Sequence, residues 1–295
     1  MLKTITVCIL ILTGSAPVWA AQSKNWYTDF DKARQKAAAT DRHMLLNFNG
    51  SDWCGWCIKL REEVFSQKAF LKRARKDFVL VDLDFPRRKE LPAALKKQNE
   101  TLAERYGVKG FPTVLLLDGQ ANYYARTGYQ KGGPVAYYEH LQALADRKKK
   151  YDSLLKQAEN AADDLQKARL LDKAVMTAEA LQLGRGLEKM VNRIKKLDKD
   201  NRAGLLSKYN DLAELNQIIS SFRSDNNFSG AIDKLEQLAA ASGNSLVKQK
   251  AYLTMGNLYF SQKKDKQTGR LYFKKAYEAA PESTLGKKLQ SFLEK

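Results

Sequence analysis

An α/β domain followed by an all-α domain of helical hairpins is the fold this sequence predicts, on three observations. Short apolar runs of strand length alternate with amphipathic helical stretches up to about residue 150. After Lys150 strand signals vanish, prolines become rare and helical periodicity continues to the end. Two cysteines, Cys54 and Cys57, stand three positions apart where a strand-like run passes into a helical one. A chain of 295 residues has room for both domains.

The elements follow in order. Residues 1–20 carry a basic Lys3, an apolar run over residues 5–12 and a small-residue exit at Val18-Trp19-Ala20. That pattern reads as a secretory signal cleaved after Ala20. The competing reading is an uncleaved anchor, but the apolar run is well short of the ~20 residues that span a bilayer. No later segment reads as a transmembrane helix. Residues 25–40 read as a helix with Trp26, Phe30, Ala33 and Ala37 on one face, and residues 43–49 as a strand. The cysteine pair then opens one long helix carrying Leu60, Val64, Phe65 and Phe70. Phe78-Val79-Leu80-Val81-Asp82-Leu83 is a second buried strand. Pro92 and Gly107 bracket a third helix. Residues 113–117 form a strand, Asp118-Gly119 a hairpin turn and residues 122–127 its partner. A helix from about Pro134 completes an α-β-α-β-α-β-β-α order, giving a domain over residues 21–150.

Residues 151–295 form the helical domain. Leu205, Tyr209, Leu212, Leu215, Ile219 and Phe222 recur every three to four positions. Helix stops fall at Gly184-Arg185-Gly186, Asp200-Asn201, Asp225-Asn226-Asn227 and Gly243-Asn244. Tyr252, Met255, Gly256 and Tyr259, then Phe273, Ala276 and Pro281, resemble a tetratricopeptide unit with a lengthened turn. Ser229-Gly230-Ala231-Ile232 and Leu235 fit the second helix of a degenerate unit before it. A generic helical-hairpin domain accounts for the same pattern, since aromatic and small residues at this spacing are first of all core.

The formal charge is +18, and removal of Lys3 with the signal leaves +17. This excess favours anionic partners. Nucleic acid is set aside: the chain carries an export signal, and Arg87-Arg88-Lys89 and Arg147-Lys148-Lys149-Lys150 read as solvated loop and helix-end charges without a nucleic-acid motif. The third cysteine, Cys8, lies within the signal, so the mature chain keeps only the pair Cys54 and Cys57. Two thiols at a helix start suit electron exchange, because the N–H groups there favour a thiolate on the first. Zinc is the competing use of the spacing. It requires two further ligands, and beyond carboxylates the chain offers only His43 and His140, for which solvated or capping roles suffice. No cofactor or metal is expected.

Trp53-Cys54-Gly55-Trp56-Cys57 between strand and helix, with Leu45-Leu46-Asn47-Phe48 before it and Gly107-Val108-Lys109-Gly110-Phe111-Pro112-Thr113 after it, resembles the thioredoxin superfamily over residues 22–148. Asn49-Gly50-Ser51-Asp52-Trp53 is similar to a branch of exported bacterial thioredoxin-like proteins. The resemblance implies a thioredoxin fold, a central mixed sheet flanked by helices. It implies that Cys54 is the exposed nucleophile, that Cys57 resolves the mixed disulfide, and that Pro112 is cis and leaves the Phe111 backbone free for an extended substrate. Gly55 allows close approach, and Trp53 and Trp56 form an apolar rim. For Trp53 partial core burial is an equal reading, whereas for Trp56 exposure is favoured. The family's carboxylate on the central strand is replaced by Phe48 or Asn47, neither of which accepts a proton at neutral pH. Slower resolution by Cys57 follows, unless an acid from elsewhere, such as Glu63, lies beneath it.

The function expected is a cell-envelope thiol–disulfide oxidoreductase, in a bacterial periplasm, acting on protein disulfides or thiols with an unidentified redox partner. Gly55-Trp56 is closer to the pairs of isomerase-type relatives than to thioredoxin's own, and reductase or isomerase is placed ahead of oxidase. The rival is a redox-sensing adaptor whose helical repeats recognise a partner protein. In a third reading the helical domain makes a homodimer.

Overall fold

The structure is a computed structural model that describes residues 25–184 and 186–294. The expected signal at residues 1–20, with Cys8, lies outside the described residues. The chain divides into two compact units, the first reaching Lys149 and including Ala180–Leu183, the second formed by Lys150–Glu179 and the residues from Gly184 onward. No helix among the described residues is long and apolar enough to cross a membrane.

The first unit is built on a four-stranded mixed sheet in the order β2-β1-β3-β4. Strand β1 (His43–Asn49) lies parallel to β2 (Phe78–Asp84) and antiparallel to β3 (Thr113–Leu117), which pairs antiparallel with β4 (Tyr123–Thr127). Side chains alternate between the two faces of a strand. Met44, Leu46, Phe48, Val79, Val81, Leu83, Leu115 and Leu117 share one face, under Phe30, Ala33 and Ala37 of α1 (Phe30–Thr40) and Leu102 of α4 (Ala93–Arg105). The other face carries Leu45, Asn47 and Asn49 of β1 and Leu80, Asp82 and Asp84 of β2. Gly107 stops α4 at φ +59°, a conformation that favours glycine.

Three elements depart from the sequence reading. Helix α1 begins only at Phe30, capped by the Asp29 carboxylate on the Lys32 N–H. Before it, Tyr27 is extended: its N–H donates to Leu80 O and its carbonyl accepts from the Asp82 N–H, both at 2.8 Å, adding a bridge to the edge of β2. The helix opened by the cysteines is not continuous. It runs as α2 (Gly55–Leu60), a π turn (Arg61–Phe65) and, after an extended Gln67, α3 (Lys68–Asp77). The wider turn lets the adjacent Val64 and Phe65 both be buried. The β3–β4 hairpin is longer than two residues: Asp118 accepts from the N–H groups of Gln120 and Asn122, and Ala121, not Gly119, takes the positive φ.

Helix α5 (Gly133–Asn160) continues through Lys150, so the expected domain limit falls inside a helix. The second unit is helical: α6 (Asp164–Ala180), α7 (Leu187–Leu197), α8 (Leu205–Asp225), α9 (Phe228–Ala241), α10 (Ser245–Leu258), α11 (Lys266–Ala279) and α12 (Thr284–Leu293). Its stops follow the sequence, with Asn226 left-handed after α8 and Asn244 capping α10. A π turn (Tyr259–Lys263) lengthens the end of α10. Gly256 of α10 faces the Phe273 ring of α11, where a Cβ would lie 2.4 Å from the nearest ring atom. Gly269 of α11 faces Phe260 in the same way.

Candidate active site

The site is assembled where β1 ends. Gly50 turns the chain, and its carbonyl accepts the Cys54 N–H at 3.0 Å. A side chain at Gly50 would collide with the Trp53 indole, 2.4 Å from Cε2, so this glycine is required by packing. Cys54 is the extended N-cap of α2, and its Sγ accepts the Cys57 N–H at 3.2 Å. The two cysteines are joined in a disulfide, with Cα atoms 5.2 Å apart. Cys54 is 7% exposed and Cys57 3%, so the thiol implied to be exposed is largely covered, though less than its companion.

The rim residues fall into two groups. Trp53 is half-buried: its Nε1–H donates to Phe85 O at 2.7 Å and its ring meets Phe111 edge-on at 5.8 Å. Partial burial, one of the two readings of Trp53, is what these contacts describe. The Phe111–Pro112 peptide is cis. Trp56 stands apart from that cluster, 56% exposed, 5.1 Å from the Tyr129 ring, with Lys59 Nζ over both rings. Gly55 is exposed with no atom near a notional Cβ, which leaves its surroundings open to an approaching chain.

Polar groups on the sheet face beside the cysteine helix bear on the proton question. Glu63 is not under Cys57. It accepts from the Tyr129 hydroxyl at 2.7 Å and pairs with Lys59 at 3.7 Å on the surface. A different acid lies on the neighbouring strand. Asp82, paired in register with Asn47, accepts from Asn47 Nδ2 at 2.9 Å and Asn49 Nδ2 at 2.7 Å. Arg61, one turn past Cys57, donates to Asn49 Oδ1 at 3.2 Å, which places this network on the sheet face that α2 and the π turn cover. Loss of water around the Asp82 carboxyl, reinforced by the charge of Asp84, raises its pKa to about 6, against the amide bond from Asn47 and the charge of Arg61. Near neutral pH such a group can take up or release a proton. The signal in the sequence was an acid in the middle of an apolar strand.

The loop after β2 is fastened to the cysteine loop. Ser51 donates through N–H and Oγ to Asp84, at 2.8 and 2.6 Å. Both Asp52 oxygens accept backbone N–H groups, from Arg87 at 3.0 Å and Arg88 at 2.8 Å, which hold that carboxyl below its ordinary pKa. The sequence reads Arg87-Arg88-Lys89 as solvated charge, yet the Arg87 guanidinium lies 3.8 Å from the Trp53 ring centroid. His43 contacts the Tyr124 hydroxyl and His140 the Thr127 hydroxyl. Among the described residues no group of three metal-binding side chains forms.

A cysteine pair bonded across the first turn of a helix, on a mixed sheet of this topology, defines a thiol–disulfide oxidoreductase of the thioredoxin-like class. The family model described as a thioredoxin-like domain matches residues 30–142. Disulfide bond reductase DsbH of Chlamydia pneumoniae is 30% identical over 124 residues, which are 42% of this chain and 74% of that protein. The chain belongs to the thioredoxin-like family. Thioredoxin-related protein DsbJ of the same organism is 30% identical over 125 residues, 40% of this chain but 36% of DsbJ, so the match spans about a third of that relative. A solved DsbH oxidoreductase is 27% identical, covers 46% of this chain and 94% of its own, and superposes with a TM-score of 0.39.

Proposed function

We propose that the protein is a reductase of protein disulfides in the cell envelope, its Cys54–Cys57 pair passing two electrons to the substrate. The bonded pair at the start of α2 is the observation that carries the thiol–disulfide chemistry, and the similarity to a disulfide bond reductase supports the direction. The Cys54 thiolate attacks one sulfur of a substrate disulfide, the substrate S–S bond breaks, and one substrate thiolate leaves. Cys57 gives up its proton and attacks Cys54 Sγ, closing the Cys54–Cys57 bond and releasing the second substrate thiolate. Asp82 takes the Cys57 proton, supplying what Asn47 lacks. A dithiol donor upstream then returns two electrons and two protons to the pair. Trp53, Gly55, Trp56, Phe111 and Pro112 receive the substrate chain, and the helical unit selects the partner. The envelope location rests on the signal pattern in residues 1–20.

With insulin as substrate, Cys54→Ser abolishes turnover and Cys57→Ser accumulates covalent partner adducts. Unchanged turnover by Cys54→Ser overturns the mechanism. Equilibration in glutathione buffers checks the direction: a potential near the about −270 mV of thioredoxin supports a reductase, and one near the about −180 mV of an isomerase rules it out.

A further inference from the structure

We infer that Arg87 and Arg88, held beside the cysteine loop, bind an acidic side chain of the substrate, so that the enzyme selects disulfides flanked by aspartate or glutamate. This rests on the thiol–disulfide reading above and names its substrate class.

Three consecutive residues fix the backbone that carries the arginines. Ser51 is bonded to Asp84, Trp53 to the Phe85 carbonyl, and Asp52 to the N–H groups of Arg87 and Arg88. Asp52 is the nearest carboxylate in sequence to Cys54, and both its oxygens are committed to backbone amides. Neither guanidinium is therefore held by it. Among the described residues no ion pair engages Arg87 or Arg88, including with Glu90 of the same loop, and both are exposed. Glu63, the acid on the Trp56 side, is already taken by Lys59 and Tyr129.

The Arg87 guanidinium rests on Trp53, the residue next to Cys54. An arginine on an aromatic ring keeps its N–H fork available for a carboxylate, with less freedom to lose on binding than a solvated chain. A polypeptide laid along the Trp53 and Phe111 rim to present its disulfide to Cys54 would pass beside this fork. A carboxylate two or three residues from the scissile cysteine meets two unpaired cations there, and a lysine meets repulsion. The +17 charge of the mature chain adds a general attraction, which the test must separate from the local one.

The full-length protein, reduced with dithiothreitol and desalted, is mixed with three peptides that share one disulfide flanked by glutamate, serine or lysine. Single-turnover oxidation is followed by tryptophan fluorescence. The glutamate peptide is expected to react roughly tenfold or more faster than the lysine peptide at low salt. The ratio falls toward one as the screening length shrinks from about 10 Å at 0.1 M to about 3 Å at 1 M salt. Arg87→Gln with Arg88→Gln removes most of the selectivity, and Arg87→Lys with Arg88→Lys restores much of it. Lys36→Gln with Lys72→Gln makes the same charge change near Phe78, at the start of β2, and keeps the ratio. Equal rates for the three peptides, or selectivity lost equally in the Lys36 and Lys72 variant, overturn the inference. If none of the three peptides is reduced, the thiol–disulfide reading itself has failed.

Discussion

The carboxyl of Asp82 lies between the amides of Asn47 and Asn49, and its titration ties folding stability to pH. Its pKa is about 6 in the folded protein against 3.8 for an ordinary aspartate side chain. The folded state thus holds this proton more tightly than the unfolded chain does. The resulting stabilisation is full below pH ~4 and is lost as pH rises through about 6, a difference of about 3 kcal/mol. Asp82→Asn keeps an oxygen for both amides and cannot ionise. It is expected to raise stability relative to the parent at pH 8 and to change it little at pH 3.5, measured by urea unfolding of the oxidised protein. An equal change at both pH values would contradict a buried titration. With the family resemblance to single them out, the positions of Cys54, Cys57, Trp56 and the Phe111–Pro112 segment on helix and loop were legible in the sequence. Asp82 was not. Its partnership with Asn47 depends on β1 and β2 pairing in register across some thirty-five residues, which no local pattern records.

Strands and helix stops were likewise readable, since apolar runs and Asn or Gly punctuation are local. The π turns were not: apolar residues at positions 60, 64 and 65 fit an α-helical face as well as a widened one. Only packing shows that Val64 and Phe65 must both enter the core. In the helical unit the small residues of α10 and α11 were visible, and their consequence is measurable. Gly256→Ala forces a methyl into the Phe273 ring and is expected to destabilise the unit by about 1–3 kcal/mol. Gly243 has open space around it and ordinary φ, so Gly243→Ala is the matched control, expected to shift stability by less than about 0.5 kcal/mol. Urea unfolding followed by circular dichroism at the helical band compares them. Similar losses in both would mean that Gly256 is not a packing position.

All tryptophans of the chain fall at or before Trp56, so tryptophan fluorescence reports the first unit alone, while the helical band reports both. Opening the Cys54–Cys57 bond returns freedom to the unfolded chain of the first unit, about 2 kcal/mol for so small a ring. Dithiothreitol is therefore expected to lower the tryptophan-detected midpoint and leave the remaining helical transition in place. A common shift of both would show that the units unfold together. The ties from residues 51, 52 and 53 to the stretch that follows β2 bear on speed of encounter. Under the proposed function, an arriving polypeptide meets a template already assembled, so docking forfeits little mobility on the protein's side. Capture is then timed by diffusion and charge, with no waiting for a rearrangement.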